Sequence, residues 1–258
     1  KKIVKMKIGI MQPYFFPYIG YFQLINSVDI YILLDNLDFI KDGWVNRNRI
    51  YNKHTMTYDY IMAPLDGKSS NKKINEILIH KKYNWRKKIL NKISHNYSKS
   101  KYYHEVLPLI EKMVCFDTPY ISEFNINAIK EICKFLNIGT KIKHEDNRYL
   151  QLEGELATIY GNEDSEFYDT KYPLKVIRVV ELCRLEGANI FYNAPGGKDL
   201  YDKSIFKNFN ISVNFVLPND TSYPQMNDVF IPNLSIIDIM MNNSVDDIEK
   251  MLNDYTLR

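Results

Sequence analysis

The chain has 258 residues, a mass of 30.6 kDa and a formal net charge of +3, from 34 basic and 31 acidic residues. This near-balance of charge excludes the strongly basic composition of many nucleic-acid-binding proteins. No apolar run approaches the roughly 20 residues that a membrane-spanning helix needs, and no signal-peptide pattern is found at the start. We therefore expect one α/β domain over residues 1–258, located in the cytoplasm, without membrane insertion or a nucleic-acid partner.

Short apolar strands alternate with helical segments along the chain. Strands are predicted at residues 8–11, 30–35, 58–62, 141–144, 189–192 and 211–216. Helices are predicted at residues 19–27, 85–96, 102–114, 118–136, 174–186, 201–208, 235–241 and 245–252. This alternation indicates an α/β fold with a mainly parallel, Rossmann-like sheet flanked by helices, and a helical insertion at about 72–137. Residues 146–170 are polar without a clear period, which predicts a mobile loop.

Residues 12–22 form a segment rich in proline and aromatic residues directly after the first strand. In open α/β sheets, ligands bind at the carboxyl ends of strands, because loops and helix N-termini meet there. We therefore predict that this segment is a ligand platform on which Tyr14, Tyr18 and Tyr21 contact a substrate.

Residues 44–49 combine an indole, two guanidinium groups and two amides. Guanidinium groups bind phosphate and carboxylate oxygens in pairs, and an indole stacks on a base or sugar face. These properties predict substrate binding by Trp44, Arg47 and Arg49, with Asp38 and Lys41 close by. The alternative is an ordinary edge strand, in which Arg47 and Arg49 share one solvated face.

Asp35 follows the second predicted strand and is a candidate general base. Asp38 is its rival for that role. A single aspartate after a strand is also common as a turn or cap residue, so both interpretations stay open.

Residues 193–197 lie between a predicted strand and a predicted helix and include two adjacent glycines. Glycines let backbone amides approach a phosphate closely, which predicts substrate contacts from Asn193, Gly196, Gly197 and the following Tyr201. The segment lacks the lysine-serine ending of a P-loop, so a plain tight turn is an equal alternative.

The remaining titratable residues do not form a recognisable reactive motif. The five histidines have no metal-ligand spacing, so no metal is predicted. Cys115, Cys133 and Cys183 are far apart in apolar segments, which predicts buried free thiols. The stretch 72–101 is strongly basic, which fits either a solvated helix face or attraction of an anionic carrier.

Three blocks of the sequence together resemble the WbqC-like family, bacterial proteins encoded among lipopolysaccharide and other surface-polysaccharide genes. The first block comprises residues 12–14 and 17–22 with Asp29 and Asp35, and the second comprises residues 39–41 and 44–50. The third comprises residues 192–197, Leu200, Tyr201, Phe206, Tyr223, Gln225 and residues 232–238. The resemblance covers nearly the whole chain.

This resemblance implies modification of a nucleotide-linked amino sugar in O-antigen biosynthesis, by transfer of an acyl or aminoacyl (glycyl) group to the sugar amine. The expected donor is a thioester of CoA or of a phosphopantetheinyl carrier protein, and no tightly bound cofactor is expected. In this hypothesis Gln12 and Asn46 orient the carbonyl or oxyanion, and Asp35 accepts the amine proton.

The chain departs from the family pattern at one point. The pattern has a Lys-His pair after the tryptophan that matches Trp85, whereas this chain has Lys87 and Lys88. The departure favours Asp35, or proton transfer by the substrate itself, as the source of base catalysis.

Two alternative functions stay open. One is an ATP-dependent adenylate-forming ligase or nucleotidyltransferase, although the His-x-x-His phosphate signature of such enzymes is missing. The other is a non-catalytic partner that binds a nucleotide sugar.

Overall fold

A computed structural model describes residues 5–67, 72–81, 84–144, 146–160, 172–220, 222–226 and 228–258. The strands are β1 Lys7–Met11, β2 Ile30–Leu33, β3 Arg47–Asn52, β4 Thr57–Met62, β5 Leu65–Asp66, β6 Leu78–Ile79, β7 Lys141–Lys143, β8 Ile190–Asn193, β9 Ser212–Pro218 and β10 Tyr255–Leu257. The helices are α1 Ile19–Asn26, α2 Trp85–Tyr97, α3 Tyr103–Val114, α4 Ile121–Phe135, α5 Asn147–Tyr160, α6 Leu174–Glu186, α7 Lys203–Lys207, α8 Ile236–Asn242 and α9 Val245–Leu252.

Six of these strands form the central sheet, in the order β10-β9-β8-β1-β2-β7. All neighbouring pairs are parallel except β9 and β10. The chain first adds β2 and β7 on one side of β1 and then adds β8 and β9 on the other side. The loops after β1 and β8 therefore leave the same edge of the sheet and turn toward opposite sides. The prediction of a mainly parallel sheet flanked by helices is confirmed.

The alternating side chains of β2 show how the sheet divides two hydrophobic cores. Tyr31 and Leu33 are buried in the layer with α1, α2, α3, α4, α8 and α9. Ile30 and Ile32 are buried in the layer with α5, α6 and α7. Successive side chains of a strand point to opposite faces, and both faces are covered here. This explains why the strands are continuous apolar runs.

Helices α2, α3 and α4 follow the small β3–β4 hairpin and share one core with the sheet. Phe124 of α4 stacks on Phe15 in the loop after β1, with ring centroids 5.5 Å apart and an interplanar angle of 18°. The helices predicted over residues 85–136 are therefore observed, while their status as an insertion stays a prediction.

The prediction of a mobile loop at 146–170 is wrong over residues 147–160, which form α5. Tyr149, Leu152 and Leu156 are buried against α6 and follow helical spacing. Polar residues separate these apolar positions and hide the period. The rest of that prediction, residues 161–170, lies outside the described residues. Strands β5, β6 and β10 were not predicted, because two or three residues are too short for a periodic signal.

A substitution at Gly9 in β1 tests how closely this strand packs against the Tyr31 ring. A Cβ atom at this position would lie 2.7 Å from Cδ2 of the buried Tyr31 ring. We expect Gly9→Ala to lower the free energy of unfolding by about 1–3 kcal/mol, because the ring cannot move away from a filled core. Gly154→Ala is the control, since no atom lies within 4 Å of its added methyl group and alanine in a helix adds about 0.5–1 kcal/mol of stability. Urea denaturation measures both, and equal destabilisation of the two variants would contradict the packing argument.

Candidate active site

A cleft of about 1150 Å³ lies at the carboxyl edge of the sheet. Its walls are the segments after β2 and β7, the first turns of α4 and the start of α5. The polar side chains that line it belong to Asp35, Asn36, Asn75, Glu76, Ser122, Glu123, Asn127, Lys130, His144, Asp146, Asn147 and Tyr149. This volume is large enough for a substrate of nucleotide-sugar size.

Asp35 is held at the floor of this cleft by contacts on both sides. Its carboxylate accepts a hydrogen bond from Ser122 Oγ, and its backbone carbonyl accepts one from the Asn75 amide at 2.9 Å. Ser122 is buried in the first turn of α4, so the carboxylate lies near the positive end of a long helix. The Asp35 side chain is half-buried there.

The charges of the lining are mainly negative. The lining has carboxylates from Asp35, Glu76, Glu123 and Asp146 and an ammonium group from Lys130. Hydrogen bonds from Arg148 lower the pKa of Asp146 to about 2, so this group is ionised at neutral pH. Lys130 Nζ lies 3.2 Å from His144 Nδ1. Arg148 pairs with Asp146 at 2.6 Å, and the other three carboxylates outnumber Lys130, so the lining favours an amine over a phosphate.

Ser122, Lys130 and His144 were not predicted as site residues. A weak signal was present, since Ser122, Ile126 and Lys130 are spaced by four and share one face of α4. The sequence alone does not show which strand ends that face meets.

The loop after β1 is held in place by buried amides and a buried hydroxyl. Asn125 Nδ2 donates to Pro13 O at 2.9 Å and to Val45 O at 2.7 Å. Asn48 Nδ2 donates to the carbonyls of Phe15 and Phe16 at 3.1 and 3.0 Å, and Ser235 Oγ donates to Phe16 O at 2.7 Å. The loop is therefore a rigid part of the core.

The predicted platform residues differ in exposure. Tyr14 and Tyr18 are half-buried. Tyr21 is fully buried and its hydroxyl donates to Gln12 O at 2.7 Å, so it supports the loop from inside. Burial raises the pKa of all three tyrosines, and their hydroxyls stay protonated.

Arg47 and Arg49 belong to β3 of the β3–β4 hairpin, and Trp44 lies just before it. The Arg49 guanidinium lies over Trp44 at 5.5 Å and over Tyr58 at 4.9 Å, and that of Arg47 lies over Tyr60 at 5.0 Å. The strand alternative is observed, since β3 contains both arginines on one face. Asn46 Nδ2 donates to Ala63 O at 3.0 Å. None of these residues lines the cleft.

Asp38 and Lys41 lie on the exposed segment between β2 and the hairpin. Asp38 pairs with Lys73 at 2.6 Å, and its side chain is 71% exposed. Asp38 does not line the cleft, whereas Asp35, the other candidate for the general base, does.

Residues 193–201 form a compact turn. Asn193 Oδ1 accepts from the Ala194 amide at 2.6 Å, and the amides of Gly197, Lys198 and Tyr201 donate to carbonyls of the same segment. A Cβ atom on Gly197 would lie 3.0 Å from the Asn193 side chain, whereas Gly196 is open and exposed. Tyr201 packs on Phe191 and Phe206. This geometry is that of the plain tight turn, the alternative to a phosphate-binding loop.

A second polar cluster is buried around Asp238 in α8. Its carboxylate accepts hydrogen bonds from Tyr97 Oη at 2.7 Å, Tyr223 Oη at 2.8 Å and Gln225 Nε2 at 3.0 Å. Tyr97 Oη in turn accepts from the Tyr51 amide of β3 at 2.9 Å. Burial raises the pKa of Asp238, and hydrogen bonds from the three side chains oppose that shift. The cluster ties α2, α8 and the hairpin together.

The thiols follow the predicted burial in two of three cases. Cys133 and Cys183 are buried, and burial raises the pKa of each to about 12. Cys115 is exposed, so its predicted burial is wrong. It directly follows the last residue of α3, where the chain leaves the core. Within the described ranges, no three His, Cys, Asp or Glu side chains are arranged to hold a metal ion.

Residues 12–250 match the sequence profile of the WbqC-like protein family. The chain is also 27% identical over 239 residues to the "Uncharacterized protein Rv1507c" of Mycobacterium tuberculosis, covering 92% of this chain and 93% of that protein. No solved structure gives a significant match. No helix in the parts of the chain that the structure describes is long and apolar enough to cross a membrane.

From the hydrogen bonds around Asp238 we expect the protein to lose stability when this side chain is replaced by alanine. Asp238→Ala leaves the Tyr97 and Tyr223 hydroxyls without their acceptor, and we expect the free energy of unfolding to fall by about 2–4 kcal/mol. The exposed Asp220 provides the control, because Asp220→Ala changes it by less than about 0.5 kcal/mol. Chemical denaturation at pH 7 compares the two.

The raised pKa of Asp238 also makes the stability of the protein depend on pH. The folded state holds a proton on Asp238 more tightly than the unfolded chain does. The wild type therefore loses stability relative to Asp238→Asn as the pH rises from about 4 through the pKa of the folded state. Denaturation curves of both proteins across this range measure the difference, and a difference that is constant with pH would rule out a raised pKa.

Proposed function

Because the chain belongs to the WbqC-like protein family, we propose that it transfers an acyl or aminoacyl group to the amine of a nucleotide-linked amino sugar. The observation that carries the proposal is the acidic cleft, with Asp35 fixed by Ser122 at the end of a parallel strand. Glycyl transfer in O-antigen synthesis, with the protein in the cytoplasm where nucleotide sugars are made, belongs to the same proposal.

The carboxylates of the cleft suit the amine end of the acceptor. An ammonium group is attracted by the negative lining and gives its first proton to water, which leaves Asp35 ionised. The neutral amine attacks the carbonyl carbon of a thioester, so a C–N bond forms and the C–S bond breaks. The proton that the nitrogen gives up passes to Asp35 and then to the leaving thiolate, which balances the reaction. Asp35 is the general base in this scheme.

The anionic half of the substrate fits the other side of the loop after β1. The negative cleft repels a diphosphate, while the crevice between the ends of β1 and β8 is where ligands collect in sheets with this strand order. Gln12, Tyr14 and Tyr18 follow β1, and the exposed Gly196 follows the neighbouring parallel strand β8, so these residues are the candidates for nucleotide contacts. The nucleotide would lie there with the sugar amine directed toward Asp35.

One observation also favours the ligase alternative. The order β7-β2-β1-β8-β9 changes direction between β1 and β8, and doubly wound nucleotide-binding folds place their ligand at such a point. An ATP-dependent ligase would release pyrophosphate or phosphate when the protein is mixed with ATP and an acid. Transfer from a preformed thioester would release neither.

The first experiment incubates the purified protein with nucleotide-linked amino sugars and with acyl-CoA, glycyl-CoA or carrier-bound thioesters. We expect a product that is heavier by one acyl group in mass spectrometry. Saturable binding of a sugar nucleotide with no product from any donor would instead support the non-catalytic partner.

Asp35→Asn tests the proposed base. We expect kcat to fall about 10²–10⁴-fold, because the amide cannot accept the proton, while the melting temperature stays near that of the wild type. Asp38→Asn is the matched control on the same segment, and we expect its kcat to stay within about threefold of the wild type because Asp38 lies outside the cleft. Equal losses in the two variants, or no loss in Asp35→Asn, would remove Asp35 from the mechanism.

A further inference from the structure

The outer side of the β3–β4 hairpin exposes an unusual group of side chains, called here the hairpin face. It consists of Trp44, Arg47, Arg49, Tyr58, Tyr60 and Met62. Arg47 is paired with Met62 and Arg49 with Tyr60 across the two strands, and such pairs point to the same face. Trp44, Tyr58 and Met62 are 39%, 44% and 49% exposed. Large apolar side chains are thus presented to solvent together with two cations.

The two guanidinium groups are held in place by stacking. Arg47 also contacts Asp42, with its backbone carbonyl at 2.5 Å and its carboxylate at 3.5 Å. Arg49 donates to Asn233 O at 3.0 Å. The Nε atoms of both arginines are buried and have no hydrogen-bond partner among the described residues. Stacked guanidinium groups lose little freedom on binding, and a guanidinium group binds carboxylates well.

The hairpin face has the composition of a protein-binding surface. Trp, Tyr and Arg dominate the residues that contribute most to protein–protein affinity. Small ligands instead occupy concave sites, and neither the cleft nor the two smaller hollows beside Tyr223 include any residue of the face. Arg47 and Arg49 outnumber the nearby Asp42, and the exposed Lys41 precedes Asp42 in the chain. The complementary partner is a protein with an acidic surface.

We propose that the hairpin face docks a small acidic carrier protein, which delivers the acyl or aminoacyl thioester on its phosphopantetheine arm. This inference rests on the proposed acyl transfer and names its donor. A donor on a long flexible arm reaches a reaction site away from its docking surface, which accounts for the separation of the hairpin face from the Asp35 cleft. An acidic partner is repelled by the cleft and attracted by the hairpin face. In this proposal the cleft binds the acceptor amine and the hairpin face binds the carrier of the donor.

Calorimetric titration of bacterial holo-acyl carrier protein into the purified protein tests the docking. We expect saturable binding that weakens as NaCl rises from about 50 to about 300 mM, because salt screens the charges. Arg47→Glu with Arg49→Glu, and separately Met62→Glu, should each raise Kd about tenfold or more, because a like charge then faces the acidic partner. Met62→Glu changes an exposed side chain and serves as the second variant if the double arginine variant does not fold.

The matched control reverses two charges outside the hairpin face. Lys134→Glu with Lys207→Glu alters exposed lysines of α4 and α7, and its Kd should equal that of the wild type. Absence of binding, or equal weakening in the control, overturns the docking inference. A wild-type protein that binds the carrier but forms no product with any donor keeps this inference and loses the proposed transfer. A protein that turns over acyl-CoA but does not bind the carrier keeps the proposed transfer and loses the docking inference.

Discussion

The structure depends on how the buried loop after β1 satisfies its backbone. Phe15 and Phe16 place their rings in the core, so their carbonyls are also buried and need donors. Those donors are Asn48 of β3 and Ser235 beside α8, and a third donor, Asn125 of α4, binds the carbonyl of Pro13 in the same loop. Phe16 adopts a φ of 41°, which is unusual for a residue with a side chain. This geometry persists because the three donors and the packed rings hold it together.

This constraint also determines where the cleft lies. Asn125 and Ser122 are three residues apart on α4, so the same helix face that binds the loop after β1 binds Asp35 after β2. The loop, the carboxylate and the helix therefore form one rigid unit at the carboxyl edge of the sheet. A rigid site of this kind suits a reaction that needs orientation more than covalent assistance.

Several family-motif residues have structural roles. Asn48 and Tyr21 fix the loop, Asn46 closes the hairpin onto Ala63, and Tyr223 and Gln225 bind the buried Asp238. These side chains resemble catalytic residues in sequence because they are polar and lie beside aromatic residues. Their hydrogen bonds are directed at the protein's own backbone and carboxylates, which leaves Asp35 as the predicted catalytic residue that lines the cleft.

The sequence by itself determined the local elements with strong periodicity. The apolar strands, the bounds of α6 and its left-handed end at Gly187, and the parallel character of the sheet follow from residue spacing and from the glycine's conformational freedom. The sequence also placed Asp35 at a strand end, where a ligand site is expected.

Only the tertiary structure decided which polar residues meet. Ser122 and Asp35 are 87 positions apart, and Tyr97 and Asp238 are 141 apart, so no local pattern predicts either contact. The helix α5 was hidden for a similar reason, since its few apolar residues become a recognisable face only against α6. Tyr21 and Trp44 are both aromatic motif residues, yet one is buried and the other exposed. Local preference determines the backbone of a segment, whereas packing between segments decides which of its side chains remain accessible to a ligand.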